Sequence, residues 1–117
     1  MPVRRTVRAR LGDMVLAADK IDRFLAGKSF DDFVADALVH DAVVRNLEII
    51  SEASRHIGDD LKAQTPEIAW RKLADMRNWL RHTYEGVNDR IVWDSIQDDL
   101  PALSKAIRAL LSRPDIL

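Results

Sequence analysis

Apolar residues recur at spacings of three and four along most of the chain, which is the pattern of helices that bury one face. A first helix is predicted over residues 8–26, ending at Gly27. A short helical turn near 30–35 follows, with Ser29 as its N-cap. The buried stripe predicted for the first helix comprises Leu11, Val15, Ala18, Ile21 and Leu25.

Three longer helices follow in the predicted order. The longest spans roughly 36–57, and Thr65-Pro66-Glu67 predicts the start of another near 67–84, with Thr65 as N-cap. A last helical region spans 89–112, where Pro101 is expected to kink or restart the helix. The apolar face predicted for the longest helix comprises Val43, Val44, Leu47, Ile50, Ala53 and Ile57. That of the helix near 67–84 comprises Ala69, Leu73, Met76, Leu80 and Thr83. That of the last helical region comprises Ile91, Ile96, Leu100, Leu103, Ile107 and Leu110.

No segment alternates apolar and polar residues as strands do. The fold class predicted is all-α, an antiparallel bundle of four main helices with a short extra helical turn. Residues 1–117 are expected to form a single domain, in which residues 1–8 are a loose, basic, solvated tail leading into the first helix.

Composition narrows the possible chemistry. The chain has 117 residues and no cysteine, which excludes disulfides, thiolate catalysis and cysteine-bound metals. Its net charge is −1, so a broadly basic nucleic-acid footprint is absent and any RNA contact must be local. No apolar run is long enough to span a membrane or form a signal peptide, and a cytoplasmic location is expected.

The run from Arg77 to Tyr84 concentrates the residues that carry chemistry. On a helix, Arg77 and Arg81 lie one turn apart and can share a phosphate, while Asn78 lies one turn before His82 and can orient its ring. The three histidines show no spacing typical of a metal site, and none is predicted.

His82 lies about 140° from Arg77 on a straight helix, so one helix does not bring both onto the same atom. Either the helix loosens before Gly86, or a second copy supplies the missing group across a two-fold axis. The second solution predicts a homodimer with a composite site.

Two interpretations remain open for the polar residues around this run. Asp41, Arg45, Glu48 and Glu52 lie on one side of the long helix and either form local ion pairs or brace the arginines of the run. Exposed arginine, asparagine and histidine on a helix are often only solvated. Residues expected to be structural or merely exposed are His40 and His56, and those expected to pack rather than stack on bases are Trp70, Trp79 and Trp93.

Several segments together resemble the HepT-like proteins of the HEPN superfamily, over about residues 10–112. They are Asp41-Ala-Val-Val-Arg-Asn-Leu-Glu-Ile-Ile-Ser-Glu-Ala53, Trp70-Arg-Lys, Met76-Arg-Asn-x-x-x-His-x-Tyr84, Ile91-Val-Trp-Asp94 and Asp98-Asp-Leu-Pro101. Ala69 and Thr83 depart from the family pattern, which has proline and glycine there.

The resemblance implies a metal-independent endoribonuclease toxin of a type VII toxin–antitoxin pair, acting as a dimer without a cofactor. Arg77 and His82 would be catalytic, and Asn78, Arg81, Arg45 and Glu48 would support them. The implied partner is a minimal nucleotidyltransferase antitoxin that transfers AMP to Tyr84. Two alternatives remain: a non-catalytic, nucleotide-binding subunit of a nucleotidyltransferase, which would hold its nucleotide with Arg77 and Arg81, and a structural dimeric bundle with a degenerate site.

Overall fold

Six helices form the part of the chain that the computed structural model describes, residues 5–81 and 89–117. No strand occurs in those two ranges, which confirms the all-α fold class. The helices are α1 (Val7–Leu25), α2 (Phe30–Ala35), α3 (Ala37–Ser54), α4 (Asp59–Ala63), α5 (Trp70–Leu80) and α6 (Asp89–Leu111).

Short polar side chains start the first three helices. The Thr6 hydroxyl accepts a hydrogen bond from the backbone N–H of Ala9, and Ser29 forms a reciprocal capping box with Asp32. The Asp36 carboxylate accepts from the first N–H groups of α3. These bonds satisfy donors that have no partner inside a helix. The N-cap predicted at Ser29 is therefore confirmed.

The start predicted for α5 is wrong. Thr65 is buried rather than capping a helix; its hydroxyl accepts from the Trp70 indole Nε1 and donates to the Leu61 carbonyl, both at 3.0 Å. The chain turns through residues 66–69, and α5 begins only at Trp70. The short helix α4, which the sequence pattern did not indicate, lies just before this turn.

The four long helices alternate in direction. Glu52 of α3 faces Arg77 of α5. Three residues later, at the end of α3, the Arg55 guanidinium donates to the carbonyl of Ala74, which lies three residues earlier in α5. Such a reversed order is the register of antiparallel neighbours. Helix α1 packs against both α3 and α6, and this arrangement is the bundle that the sequence predicted.

One continuous core fills the space between the helices. All core residues predicted for the long helix are buried, including Ile57 just beyond α3, as are Leu73, Met76 and Leu80 of α5. Of the other two residues predicted for that stripe, Ala69 precedes α5 and is only partly buried, and Thr83 lies outside the described residues. On α6, Ile91 was expected in the core but is 49% exposed, and Val92 is buried in its place. The restart expected at Pro101 is also wrong, because α6 runs through Pro101, which lies on its exposed side.

Arg8 joins the start of α1 to the end of α6. It was expected at the junction of a solvated tail and the first helix; it does lie in α1, but it is not merely solvated, because its guanidinium donates to three backbone carbonyls beyond the end of α6 or in its last turn, each at 2.9 Å. These acceptors are Leu111, Arg113 and Ile116. A cation at this place also opposes the negative end of the α6 dipole.

None of the helices in the described ranges is both long enough and apolar enough to cross a membrane.

His40 is a buried titratable group in the core of the described part of the chain. Its Nδ1 lies 3.0 Å from Asp41 and its Nε2 2.8 Å from Asp89, the first residue of α6, while its ring packs on Phe33 of α2. Burial disfavours the charged ring, but hydrogen bonds to Asp41 and Asp89, together with their charges, outweigh burial and raise the pKa of His40. The structural role expected for His40 matches this placement.

A raised pKa makes the contribution of His40 to stability depend on pH. The charged ring stabilises the folded state most fully below its unfolded pKa, about 6.5, and this stabilisation is lost as pH rises through the higher folded pKa. We therefore expect the difference in unfolding free energy between wild type and His40→Gln, measured by urea denaturation, to be largest in mildly acidic buffer and to shrink in alkaline buffer. A difference that does not change with pH would contradict this account.

Candidate functional site

A surface pocket of about 500 Å³ lies between α3 and α5. Among the lining residues in the described ranges, three are arginines and two are glutamates, so these residues carry a formal charge of +1. The lining residues, which we call the arginine pocket, are Arg45, Glu48, Glu52, Arg77, Leu80 and Arg81.

The two helices contribute to this pocket in a regular way. Arg45, Glu48 and Glu52 follow one another at spacings of three and four, so they share one face of α3. Arg77 and Arg81 are one turn apart at the end of α5. The buried side of each helix faces the core, which leaves both polar rows at the seam where the helices meet.

The ion pairs inside the pocket are long and exposed. Arg45 Nη1 lies 3.5 Å from Glu48 Oε2, and Arg77 Nη1 lies 3.8 Å from Glu52 Oε2. About half of the Arg77 side chain is exposed. Exposed pairs of this kind contribute at most about 1 kcal/mol. The guanidinium groups are therefore held near one another but remain available to an anion.

Glu52 links Arg77 to His56, which lies just beyond the end of α3. His56 Nε2 lies 3.2 Å from Glu52 Oε1 and must donate, because a carboxylate only accepts. This hydrogen bond, followed by the charges of His56, Arg77 and Arg55, lowers the pKa of Glu52. The carboxylate therefore stays charged and keeps the Arg77 guanidinium near α3.

The structure brings together four of the predicted site residues and separates others. Arg45, Glu48, Arg77 and Arg81 share the arginine pocket, whereas Asn78 is exposed and is not part of its lining. Another predicted member of the α3 row is directed elsewhere: Asp41 pairs with His40.

His82 and Tyr84 lie outside the described residues.

Glu52 and His56 have a larger part in the site than the sequence indicated. Glu52 was one of four candidates that might brace the arginines, and it is the one that contacts Arg77. His56 was expected to be structural or merely exposed. Its spacing of four residues from Glu52 was the available signal, because side chains at that spacing meet on a helix.

The chain matches proteins of known family. The profile of the family described as "Ribonuclease HepT-like" matches residues 14–110. A probable ribonuclease HepT of Thermococcus cleftensis is 41% identical over 101 residues, which cover 86% of this chain and 92% of that protein.

Two further relatives are named provisionally as RNases. One, from Caldanaerobacter subterraneus, is 34% identical over 93% of this chain and 97% of its own length. The other, from Methanocaldococcus jannaschii, is 32% identical over 89% of this chain and 95% of its own length. No solved structure matches the chain significantly. With a family profile that covers most of its length, the chain belongs to the HepT-like ribonuclease family.

Proposed function

We propose that this protein is a metal-independent endoribonuclease that cleaves RNA with Arg77 and His82. The observation that carries the proposal is the arginine pocket, which gathers three guanidinium groups, two of them from Arg77 and Arg81 within the five residues before His82. Planar guanidinium groups bind phosphate through several donors at once and keep their charge at any physiological pH. In a ribonuclease, the anion that these guanidinium groups bind would be a phosphate of the RNA substrate.

The proposed reaction is transesterification. His82 accepts the proton of the ribose 2′-OH, the 2′ oxygen bonds to phosphorus, and the bond from phosphorus to the 5′ oxygen breaks. The leaving 5′ oxygen takes up a proton, which gives a 2′,3′-cyclic phosphate and a 5′-OH. Arg77 stabilises the charge that develops on the phosphoryl oxygens. DNA, which lacks the 2′-OH, is not cleaved.

The residues around Arg77 have supporting roles in this proposal. Arg45 and Arg81 line the same pocket and would hold phosphates next to the one that reacts. Glu48 and Glu52 keep Arg45 and Arg77 at the seam between α3 and α5. Asn78, exposed one turn before His82, would orient the histidine ring.

We further propose that two copies form each site. Arg77 faces α3, as its contact with Glu52 shows, whereas a helix continued beyond Leu80 would direct position 82 about 140° away from Arg77. A two-fold axis beside the end of α5 would let the Arg77 of one copy act with the His82 of the other.

The proposed biological role is that of a cytoplasmic toxin in a toxin–antitoxin pair. Its partner would be a minimal nucleotidyltransferase that silences it by transferring AMP to Tyr84. Tyr84 follows Arg81 by three residues. An attached AMP would bring a phosphate to the arginines at high effective concentration and compete with RNA.

The arginine pocket also supports a second candidate function, a nucleotide-binding subunit of a nucleotidyltransferase without activity of its own. Its three guanidinium groups would suit a nucleotide phosphate as well as an RNA phosphate. RNA cleavage by the purified protein in EDTA separates the two, because only the ribonuclease gives product without a partner.

His82→Ala is expected to lower the rate of RNA cleavage in EDTA by at least about 100-fold, the usual contribution of a general base. Arg77→Ala should also be severely impaired, whereas Arg23→Ala, which removes an exposed arginine of α1, should cleave at the wild-type rate. Product ends are identified by mass spectrometry. A His82→Ala protein that is folded by circular dichroism and cleaves normally would exclude the proposed role.

Mixed dimers test whether the site is composite. If Arg77 and His82 act across the two-fold axis, re-equilibrated equal amounts of Arg77→Ala and His82→Ala should regain about a quarter of wild-type activity, because half of the dimers carry one intact site of two. Each variant alone is the control. No recovery despite verified subunit exchange, or full activity in a strictly monomeric wild type, would rule out the shared site.

The silencing by AMP is tested with the neighbouring nucleotidyltransferase, ATP and Mg²⁺. Intact mass spectrometry should show one or more added AMP units on the wild-type protein and none on Tyr84→Phe, since Tyr84 is the single tyrosine in the chain. RNA cleavage should stop as the fraction of protein that carries AMP increases. Equal modification of the two proteins would place the acceptor elsewhere.

A further inference from the structure

A second pocket, of about 650 Å³, opens on the other flank of α5, and its character differs from that of the arginine pocket. Its wall is mostly apolar and contains two of the three tryptophans of the chain. The lining residues, which we call the tryptophan pocket, are Ala69, Trp70, Arg71, Lys72, Asp75 and Trp79.

The two tryptophans differ in burial. Trp70 is 9% exposed, and its indole N–H is bound by Thr65, so it forms a fixed wall. Trp79 packs against the core but is only partly buried. The ring surface that it leaves in the pocket is a flat apolar face of the kind on which aromatic molecules stack.

Cations surround this apolar surface. Lys62 Nζ lies 5.6 Å from the centre of the Trp70 ring, and Arg71 and Lys72 are part of the lining. Lys72 is paired with Asp99 of α6 at 2.7 Å, whereas Arg71 is exposed. Among the lining residues that the structure describes, Asp75 is the acidic one. Aromatic rings beside basic groups match the two parts of a nucleotide, its base and its phosphate.

The tryptophan pocket lies close to the arginine pocket. Trp79 is two residues from Arg77, so the two side chains leave α5 about 160° apart. Because the core covers the shorter arc, a strand must follow the exposed arc of about 200°, which is roughly 19 Å on a helix 10–12 Å across. A single RNA strand of a few nucleotides can span that distance, so a base near the reacting phosphate can reach Trp79.

We propose that the tryptophan pocket is a subsite for one unpaired nucleobase of the RNA substrate, stacked on Trp79 with its backbone phosphate at Arg71. This inference rests on the proposed function and adds the form of the substrate. A base inside a duplex has both faces covered by its neighbours, so only an unpaired base can stack in the pocket. The preferred substrate is therefore single-stranded or looped RNA, longer than the cleaved dinucleotide.

A binding experiment tests the subsite independently of cleavage. A fluorescently labelled 2′-O-methyl octanucleotide cannot be cleaved through its 2′ oxygen, and its affinity is measured by polarisation. Trp79→Leu should weaken binding about tenfold, within the range measured for one base stacked on an aromatic side chain. Trp79→Phe keeps a ring and should lose less. Trp93→Leu is the matched control, because Trp93 is also partly buried against the core but packs on Phe33 and lies outside the pocket.

Substrate length provides the second measurement. With cleavable RNA, Trp79→Leu should lower kcat/KM on an octanucleotide about tenfold and leave that on a dinucleotide unchanged, because only the longer substrate reaches the pocket. Arg71→Gln removes an exposed charge without disturbing the core, so it remains a valid test if Trp79→Leu does not fold. The Arg71→Gln variant should bind the octanucleotide more weakly. The slope of its logarithmic affinity against the logarithm of salt concentration should fall by the amount expected for about one phosphate contact.

The outcomes separate this inference from the proposed function. If the wild type binds the octanucleotide in a Trp79-dependent way but cleaves no RNA, the ribonuclease proposal fails and the subsite stands. If RNA is cleaved while the Trp79 and Arg71 variants match wild type and Trp93→Leu, the subsite is wrong. A change in oligomeric state of Trp79→Leu on gel filtration would also overturn it, because a second copy would then cover the pocket.

Discussion

The antiparallel packing of α3 against α5 is the constraint on which the candidate site depends. Both helices bury an apolar stripe in the common core, and the polar rows beside these stripes meet at the seam between them. Because the stripes fix the register, Glu52 faces Arg77 and Arg45 enters the same pocket as Arg81. A shift of one helical turn would keep the core apolar but would move Arg77 away from Glu52.

The polar contacts around His40 and Thr65 differ in burial and length from those of the arginine pocket. Side chains that maintain the fold make short contacts in sheltered places, as His40 does with Asp89 and Thr65 with Trp70. Those in the arginine pocket make longer contacts and are exposed. A group whose hydrogen-bonding capacity is already used inside the protein has little to offer a ligand. Long and exposed ion pairs, which stabilise the fold weakly, leave that capacity available.

The sequence predicted helices well where the information is local. The stripes of α1 and α3 and the cap at Ser29 depend on residues within one or two turns, and they were predicted correctly. The beginning of α5 was not, because Thr65 looks like a cap unless one knows that its hydroxyl is bound to Trp70.

For the site, the sequence indicated the arginines but not their partners. Asp41, Glu48 and Glu52 occupy equivalent positions in the α3 pattern, yet Asp41 binds His40 and Glu52 contacts Arg77. The register between α3 and α5 decides which carboxylate contacts Arg77, and the sequence of one helix alone does not determine that register. The apolar side of α6 shows the same limit, since Ile91 and Val92 are both hydrophobic and only packing decides that Val92 is buried.

The contact between Arg8 and the end of α6 has a consequence for how the bundle opens. Helical chains usually unravel first at their ends, where few contacts hold the last turns. Here the first turn of α1 holds the carbonyls that follow α6, so fraying at one end breaks the bonds of the other. Fluctuations that would otherwise be local become coupled across the length of the sequence. Amide hydrogens in these outer turns should exchange with solvent at rates closer to those of the core than their position in the chain suggests.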